Sequence, residues 1–117
     1  MFYKIVNKTK DVEIASSAKV ASGFFQRLFG LMFRNNMGEN QALIFYQASS
    51  MHTFFMCFPI DIIFLDRQMI IKRIVNSLSP WRVAFCKGAH VTIELSADKV
   101  KQNNISLGDK IKIIPQP

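Results

Sequence analysis

The residues best equipped for chemistry lie in the stretch 51–66, MHTFFMCFPIDIIFLD, where His52, Cys57 and Asp61 interrupt the most apolar part of the chain. On a strand, side chains alternate between faces, so Asp61 shares a face with Ile63 and Leu65. A carboxylate in an apolar face is costly unless it is hydrogen-bonded or paired. The stretch therefore predicts a polar site in apolar surroundings, but it does not specify the chemistry of that site.

Asp61 paired with Arg27 or Arg82 is the first candidate constellation. Arginine offers a carboxylate planar, bidentate hydrogen bonds, so the pair predicts an anion or carboxylate site with one arginine left for a ligand. In the structural alternative, Asp61 accepts hydrogen bonds from the strand–turn backbone, and the arginine holds a helix against the sheet. The sequence leaves both interpretations open.

His52 and Met56, with Met32 or Glu94 nearby, form the second constellation. A histidine and a thioether on one strand face are possible soft-metal ligands. Phe54 lies between them, however, which favours packing or the lining of an apolar pocket. We therefore predict no metal at this position.

His52 is also a candidate acid–base group if a carboxylate orients it. Imidazole titrates near neutral pH, and Asp61 or Glu94 can supply the partner, which makes these three residues the catalytic candidates. The sequence contains no G-x-S-x-G motif and no recognisable cysteine nucleophile. Enzyme activity stays open, and no cofactor is indicated.

The pair Trp81–Arg82 follows Pro80 in a segment, Asn76–Gly88, that is predicted to be irregular. A loop that presents an aromatic ring and a cation is a common binding surface. Trp81 is equally suited to cover one end of a barrel. Both interpretations stay open.

These residues must be positioned by short strands. Helical spacing predicts a helix within Lys19–Arg34, capped by Ser16 or Ser17 and ended by Gly30. Phe54–Phe58, Asp61–Leu65 and Met69–Val75 are predicted to form an antiparallel meander. The other predicted elements are strands at Phe2–Val6, Val12–Ala15, Ala42–Tyr46, Ala89–Leu95 and Lys110–Ile114, and a short helix at Ser96–Asn104. Together they predict a mainly β fold, an antiparallel sandwich or partly closed barrel with one or two short helices.

Composition narrows the class of protein. The 117 residues are 50% hydrophobic, which predicts a single globular domain over residues 1–117. The net charge of +7 is spread along the chain without long basic runs and predicts a basic surface. Nucleic-acid binding is not favoured, because ribonucleoprotein, helix-turn-helix and zinc motifs are missing.

Cys57 and Cys86 lack metal-binding spacing and are predicted to be buried and reduced. The absence of a signal peptide or a long apolar run predicts a cytoplasmic protein without a membrane span.

The order of motifs resembles a prokaryotic family known as domain of unknown function 192. The motifs are Arg27 with Gly30-Leu31-Met32-Phe33-Arg34, Ala42-Leu43-Ile44-Phe45, His52-Thr53-Phe54-Phe55-Met56, Pro59-Ile60-Asp61-Ile62-Ile63-Phe64-Leu65-Asp66, Pro80-Trp81-Arg82, Gly88-Ala89, Glu94-Leu95 and Gly108-Asp109. The resemblance covers nearly the whole chain and implies a mainly β, jelly-roll-like or barrel fold without an established activity. Gln26 stands where the family usually has Glu, and Ser96-Ala97-Asp98 stands where it usually has Pro-Ala-Gly.

The sequence favours a small-molecule or anionic-ligand-binding module. Its pocket is predicted between the helix at Phe24–Gly30 and the central meander, and small-molecule sites usually combine such an apolar lining with a few polar groups. The predicted ligand-binding residues are Arg27, Met32, His52, Phe54, Met56, Asp61, Trp81 and Arg82. The alternatives are a hydrolase- or lyase-type enzyme that uses His52 with Asp61 or Glu94, and a basic adaptor that binds protein or nucleic acid.

Overall fold

The computed structural model describes residues 1–21, 37–54 and 56–117. The predicted mainly β, partly closed barrel is confirmed as a curled seven-stranded sheet that forms a half-barrel. The described strands are β1 (Tyr3–Asn7), β2 (Val12–Val20), β3 (Gln41–Tyr46), β4 (Ser50–His52), β5 (Ile60–Leu65), β6 (Ile71–Leu78), β7 (Val83–Phe85), β8 (Val91–Ser96) and β9 (Ile111–Pro115), and the short helix α1 spans Lys99–Gln102.

The large sheet has the order β6-β5-β8-β3-β2-β1-β9, and β4 pairs with β7 in a separate two-stranded sheet. Neighbouring strands are antiparallel except for β2 and β3, which run parallel. The two edge strands of the large sheet meet at their ends. Ile71 N–H donates to Asp109 O at 3.0 Å, and Ile111 N–H donates to Met69 O at 2.9 Å. These bonds curl the sheet around its inner face.

The inner face of the sheet is filled by aliphatic side chains from both edges and from the centre. Alternation along β5 and β8 sends Ile63, Leu65, Ile93 and Leu95 to this face, and all four are fully buried. The cluster is completed by Ile5, Ile14, Ala15, Ala18, Ala42, Ile44, Ile71, Val91, Val100, Ile105 and Ile111. These side chains form a packed core inside the part of the half-barrel that the structure describes.

The outer face of the sheet is covered as well. All six residues of β5 are buried, although a strand with one face in water would bury only every second residue. We call the cluster on this side the outer cluster; its buried members are Met37, Met56, Ile60, Ile62, Phe64 and Ala84. Met56 lies in the segment after β4, and Ala84 lies in β7. The small sheet therefore packs over the outer face of the large sheet.

The start of the predicted helix is wrong. Ser16, Ser17 and Lys19 lie in β2, which continues to Val20 because it pairs with β1 on one side and with β3 on the other. Two strand partners satisfy its backbone, and no helix cap is required. The remainder of the predicted helix, including Phe24–Gly30, Arg27 and Met32, lies outside the described residues.

The predicted strand Phe54–Phe58 is also wrong, since β4 ends at His52 and the described residues after it form a turn and a bend. The cause is Thr53, which is fully buried and bonded to the loop before β7. Its hydroxyl donates to Ser79 O at 2.6 Å and accepts from Arg82 N–H at 2.8 Å. The chain therefore turns towards that loop, and the partners of β5 are β6 and β8.

Two further predicted elements differ from the structure. The predicted irregular segment Asn76–Gly88 contains the end of β6 and all of β7. Helix α1 covers only Lys99–Gln102, and Asp98, with φ of 70°, occupies its N-cap position instead of Ser96.

In the part of the chain that the structure describes, no helix has the length and apolar character needed to cross a bilayer.

Candidate functional site

Asp61 is fully buried, and its carboxylate is held by two backbone groups. Its Oδ1 accepts Ser77 N–H at 2.8 Å, and its Oδ2 accepts Val100 N–H at 2.9 Å. The first bond ties β5 to the bulged end of β6, and the second supplies the start of α1 with an acceptor that Asp98 does not provide. This geometry agrees with the structural interpretation of Asp61, in which both oxygens serve the fold.

The structure does not bring Arg82 to Asp61. Arg82 is exposed, and its Nη1 lies 3.5 Å from Trp81 O. Among the described residues, the ion pairs join Lys4 to Glu13, Lys10 to Asp109 and Lys72 to Asp66, and none includes Asp61. Arg27, the other predicted partner, lies outside the described residues.

His52 lies on the solvent side of the small sheet. In β4 and β7, Met51 and Ala84 pack against the outer cluster, so alternation turns His52 and its neighbour Val83 away from the large sheet. His52 Nδ1 accepts Phe54 N–H at 3.2 Å. In the described part of the chain, neither Asp61 nor Glu94 bonds to His52, so the predicted acid–base pairs are not assembled there.

The predicted pocket residues separate into two groups. Met56 is buried in the outer cluster, whereas Phe54 is partly exposed and stacks on Trp81 with ring centroids 5.7 Å apart. His52 belongs with Phe54 and Trp81, because the centre of its ring lies 4.9 Å from the centre of the Phe54 ring. Phe54, Trp81 and His52 therefore belong to the surface of the small sheet, and Met56 belongs to the layer beneath it.

Glu94 is a buried carboxyl group in the middle of the large sheet. It lies at the centre of β8, only 3% exposed, directly between Leu43 of β3 and Ile62 of β5. The described residues give its carboxyl no hydrogen bond or ion pair. Burial raises the pKa of Glu94 to about 8, so the group is mostly protonated at neutral pH.

A cavity of about 290 Å³ opens on the same face of the sheet. It is lined by Met37, Glu39, Phe58, Pro59, Ser96, Ala97 and Gln102. Ser96 follows Glu94 by two positions on β8, so both side chains point to the outer face. A second cavity of about 450 Å³ shares Met37 and Glu39 with the first. Glu94 itself lines neither cavity, but it lies on the same face of β8, two positions before Ser96, which lines the first one.

Sequence reasoning missed this cleft. It selected Glu94 as a carboxylate for His52, and it did not select Met37, Glu39, Phe58 or Ser96. The available signal was the alternation of Thr92, Glu94 and Ser96 within an otherwise apolar strand, which marks one polar row on a buried face. The approach of the 37–40 turn to that row depends on tertiary packing and leaves no local trace.

The described residues do not bring three metal ligands together, and both of their cysteines are free. They contain no group of three or more His, Cys, Asp or Glu side chains placed to hold a metal ion. Both cysteines are free, but Cys57 is exposed and Cys86 is half-buried, so the prediction that they are buried was wrong. Cys57 is exposed because it lies in the bend that replaces the predicted strand.

Comparison with known families decides the affiliation of the chain. Residues 5–113 match the model of the family DUF192, which is described as "Uncharacterized ACR". The chain belongs to this family. The predicted resemblance is thereby confirmed, and it covers most of the sequence.

Two relatives from the DUF192 family match nearly the whole of this chain. The UPF0127 protein of Pyrococcus abyssi is 34% identical, and the match covers 94% of this chain and 97% of the relative. The UPF0127 protein of Thermococcus sibiricus is 36% identical over 92% of this chain and 72% of its own length. Neither name states an activity, so family membership establishes the fold and leaves function open.

Two solved structures share the DUF192 half-barrel. A putative transcription regulator from Sinorhizobium meliloti superposes with a TM-score of 0.81 at 20% identity, covering 95% of this chain and 91% of that one. A protein of unknown function from Novosphingobium aromaticivorans gives 0.80 at 19% identity, covering 94% and 82%. At these identities the likeness concerns the fold alone.

Proposed function

We propose that this DUF192 protein is a small-molecule-binding module whose site is the cleft beside Glu94 on the outer face of the sheet. The observation that carries the proposal is the buried carboxyl of Glu94, which lacks a partner in the described residues. A buried polar group without a hydrogen bond costs about 1–3 kcal/mol. A ligand that forms a hydrogen bond with the Glu94 carboxyl removes this cost, so the free energy that is recovered contributes to binding.

The surroundings of Glu94 suggest the class of ligand. Leu43 and Ile62 flank the carboxyl, and Met37 and Phe58 contribute apolar surface to the adjoining cavity. A protonated carboxyl donates one hydrogen bond and accepts others. The site therefore suits a molecule with an apolar body and a carbonyl or hydroxyl oxygen that accepts the Glu94 proton.

The polar group of the proposed site is Glu94, whereas the sequence predicted Asp61 with Arg27 or Arg82 for that role. Asp61 already uses both oxygens for Ser77 and Val100, so it offers a ligand less than Glu94 does. Catalysis through His52 is the weaker alternative, since the described contacts of His52 are to Phe54 and not to a carboxylate. Binding through Glu94 requires neither pair.

Two substitutions test the proposal without unfolding the protein. Glu94→Leu keeps a similar shape but removes both the donor and the acceptor, and it is expected to fold at least as stably because it removes an unpaired buried carboxyl. Glu94→Gln retains a donor and an acceptor. Glu13→Gln on the exposed part of β2 is the matched control.

Native mass spectrometry of the purified protein, followed by denaturation to release bound molecules, provides the measurement. We expect a recurrent small mass on the wild type and on Glu13→Gln, less of it on Glu94→Gln, and none on Glu94→Leu. Equal occupancy of Glu94→Leu would contradict the proposal. So would a clean apo mass together with no thermal shift from a panel of apolar ketones and alcohols.

A further inference from the structure

Exposed apolar side chains lie on the solvent side of the small sheet and in the segments that flank it. Phe54 is 38% exposed, Trp81 54%, Val83 59% and Phe85 64%; we call these four residues the aromatic face. Single exposed apolar residues are normal on a protein, but several large ones on one small sheet mark an interaction site. This surface is separate from the cleft beside Glu94.

The backbone of β4 and β7 fixes the direction of the aromatic face. Ala84 points inward to the outer cluster, so Val83 and Phe85 on either side of it point to solvent. Trp81 adopts a φ of 63°, an unfavourable conformation for a residue with a Cβ. Its N–H donates to Thr53 O at 2.9 Å, which holds it there. Trp81 is thus held in a strained conformation in which its side chain is 54% exposed.

Two arginines border the aromatic face. The guanidinium of Arg73 lies 6.0 Å from the centre of the Phe85 ring and also donates to Phe85 O. Arg82 is exposed beside Trp81. Residues 67–93 contain five Lys and Arg and no Asp or Glu, and residues 40–60 contain no acidic residue either. The sequence segments that form the aromatic face are therefore apolar and positively charged.

We propose that the aromatic face docks an acidic segment of another protein that also carries apolar side chains. Interface centres are enriched in aromatic residues and arginine, and these are also the residues that contribute most to binding. An acidic partner complements Arg73 and Arg82, and apolar side chains cover Trp81, Val83 and Phe85. Electrostatic complementarity of this kind also accelerates association.

Two other occupants fit the surface less well. A second copy of this chain on a two-fold axis brings the same surface to both sides, so arginines meet arginines. Single-stranded nucleic acid requires free ring faces for base stacking, but the Phe54 ring contacts both His52 and Trp81, the Phe85 ring contacts Arg73, and Val83 has no ring. An acidic apolar protein segment therefore matches the surface best.

Selection from a phage-displayed library of random peptides tests the proposal, with the purified full chain as bait. Phe85→Ser and Arg82→Glu alter the aromatic face and its border. Leu107→Ser and Lys112→Glu are the controls, because they make the same kinds of change at exposed positions elsewhere. Circular dichroism confirms that each variant is folded, and fluorescence anisotropy measures the affinity of each selected peptide.

We expect the selected peptides to be enriched in Asp or Glu together with aromatic or aliphatic residues. Each aromatic-face variant should weaken their binding about tenfold or more, and the controls should leave it unchanged. Peptides without acidic enrichment, equal binding by all variants, or no selected peptide would overturn the proposal. Tighter binding of oligo-deoxythymidine at the aromatic face, or a dimer that Phe85→Ser disperses, would assign the surface to nucleic acid or to a second copy instead.

Discussion

At the scale of single residues, two of the three carboxyl groups that are buried in the described structure, those of Asp61 and Glu94, differ in how their burial is compensated. Asp61 has a backbone N–H on each oxygen, so its burial is compensated inside the fold. Glu94 lies between two aliphatic side chains and has no such compensation in the described structure. Both side chains end in a carboxyl group, and both are buried. The difference lies in the backbone groups that tertiary packing brings to one of them.

Glu94 should make the stability of the protein depend on pH. Its pKa is about 8 in the folded protein and near the ordinary value of 4.5 in the unfolded chain. Between these values the unfolded chain ionises while the folded protein retains its proton, so stability is greatest below pH 4.5 for this group and falls as pH rises. The expected slope is at most about 1.4 kcal/mol per pH unit.

Urea denaturation at several pH values from 5 to 8 measures this slope. Glu94→Gln cannot ionise, so it should lose the part of the pH dependence that belongs to Glu94 and should be the more stable protein at pH 8. The exposed control Glu13→Gln should retain the slope of the wild type. If Glu94→Gln and the wild type show the same pH dependence, the carboxyl is not desolvated as its burial indicates.

At the scale of elements, the small sheet depends on one side chain. Thr53 is fully buried, and its hydroxyl bonds to Ser79 O and Arg82 N–H, while its backbone bonds to Trp81 and Arg82. These bonds join the end of β4 to the loop before β7. A single threonine thereby fixes the position of Trp81 on the aromatic face.

Thr53→Val should loosen this loop selectively. Valine has nearly the same shape but no hydroxyl, so Arg82 N–H loses its acceptor, at a cost of about 1–3 kcal/mol. Native-state amide hydrogen exchange should show faster exchange at Arg82 and Trp81, with Ile63 and Ile93 in the large sheet unaffected. Thr9→Val, at an exposed hydroxyl that accepts Lys110 N–H, is the control for the same chemical change. Unchanged protection at Arg82 would show that the hydroxyl does not hold the loop.

At the scale of the whole molecule, the large sheet is a middle layer with a core on each side. The inner core fills the half-barrel, and the outer cluster lies beneath the small sheet. Ile62 and Ile63 are adjacent in β5, point to opposite faces and are both fully buried. A sheet with one face in water would tolerate a polar residue at one of these two positions.

Ile62→Thr and Ile63→Thr should therefore destabilise the protein to a similar extent. Each substitution removes buried methyl groups and places a hydroxyl in an apolar cluster, which together cost about 2–4 kcal/mol. Val83→Thr on the exposed side of β7 should change the free energy of unfolding by less than about 0.5 kcal/mol. A small effect at Ile62 alone, measured by denaturant unfolding, would mean that the outer cluster contributes little to stability.

Local sequence patterns were sufficient for much of the fold. Strand positions such as Ile60–Leu65 and Val91–Ser96 were predicted within one or two residues, because β-branched and apolar runs between turn residues specify strands locally. The ordered motifs predicted the family, and the family match confirms them. The turn after β5 was equally local, since Asp66 Oδ1 accepts the N–H groups of Gln68 and Ile70 within the same turn.

Long-range contacts decided the rest, and they determine the candidate sites. Nothing near Phe54 in sequence indicates that Thr53 bonds to a loop 26–29 positions away, which ends β4 and exposes Phe54. Likewise, Asp61 looked like a ligand group until Ser77 and Val100 supplied both its hydrogen bonds. Sequence identifies which side chains need partners, because desolvation depends on residue type. Only the tertiary structure decides which of them find partners inside the fold, as Asp61 does, and which, like Glu94, have none among the described residues.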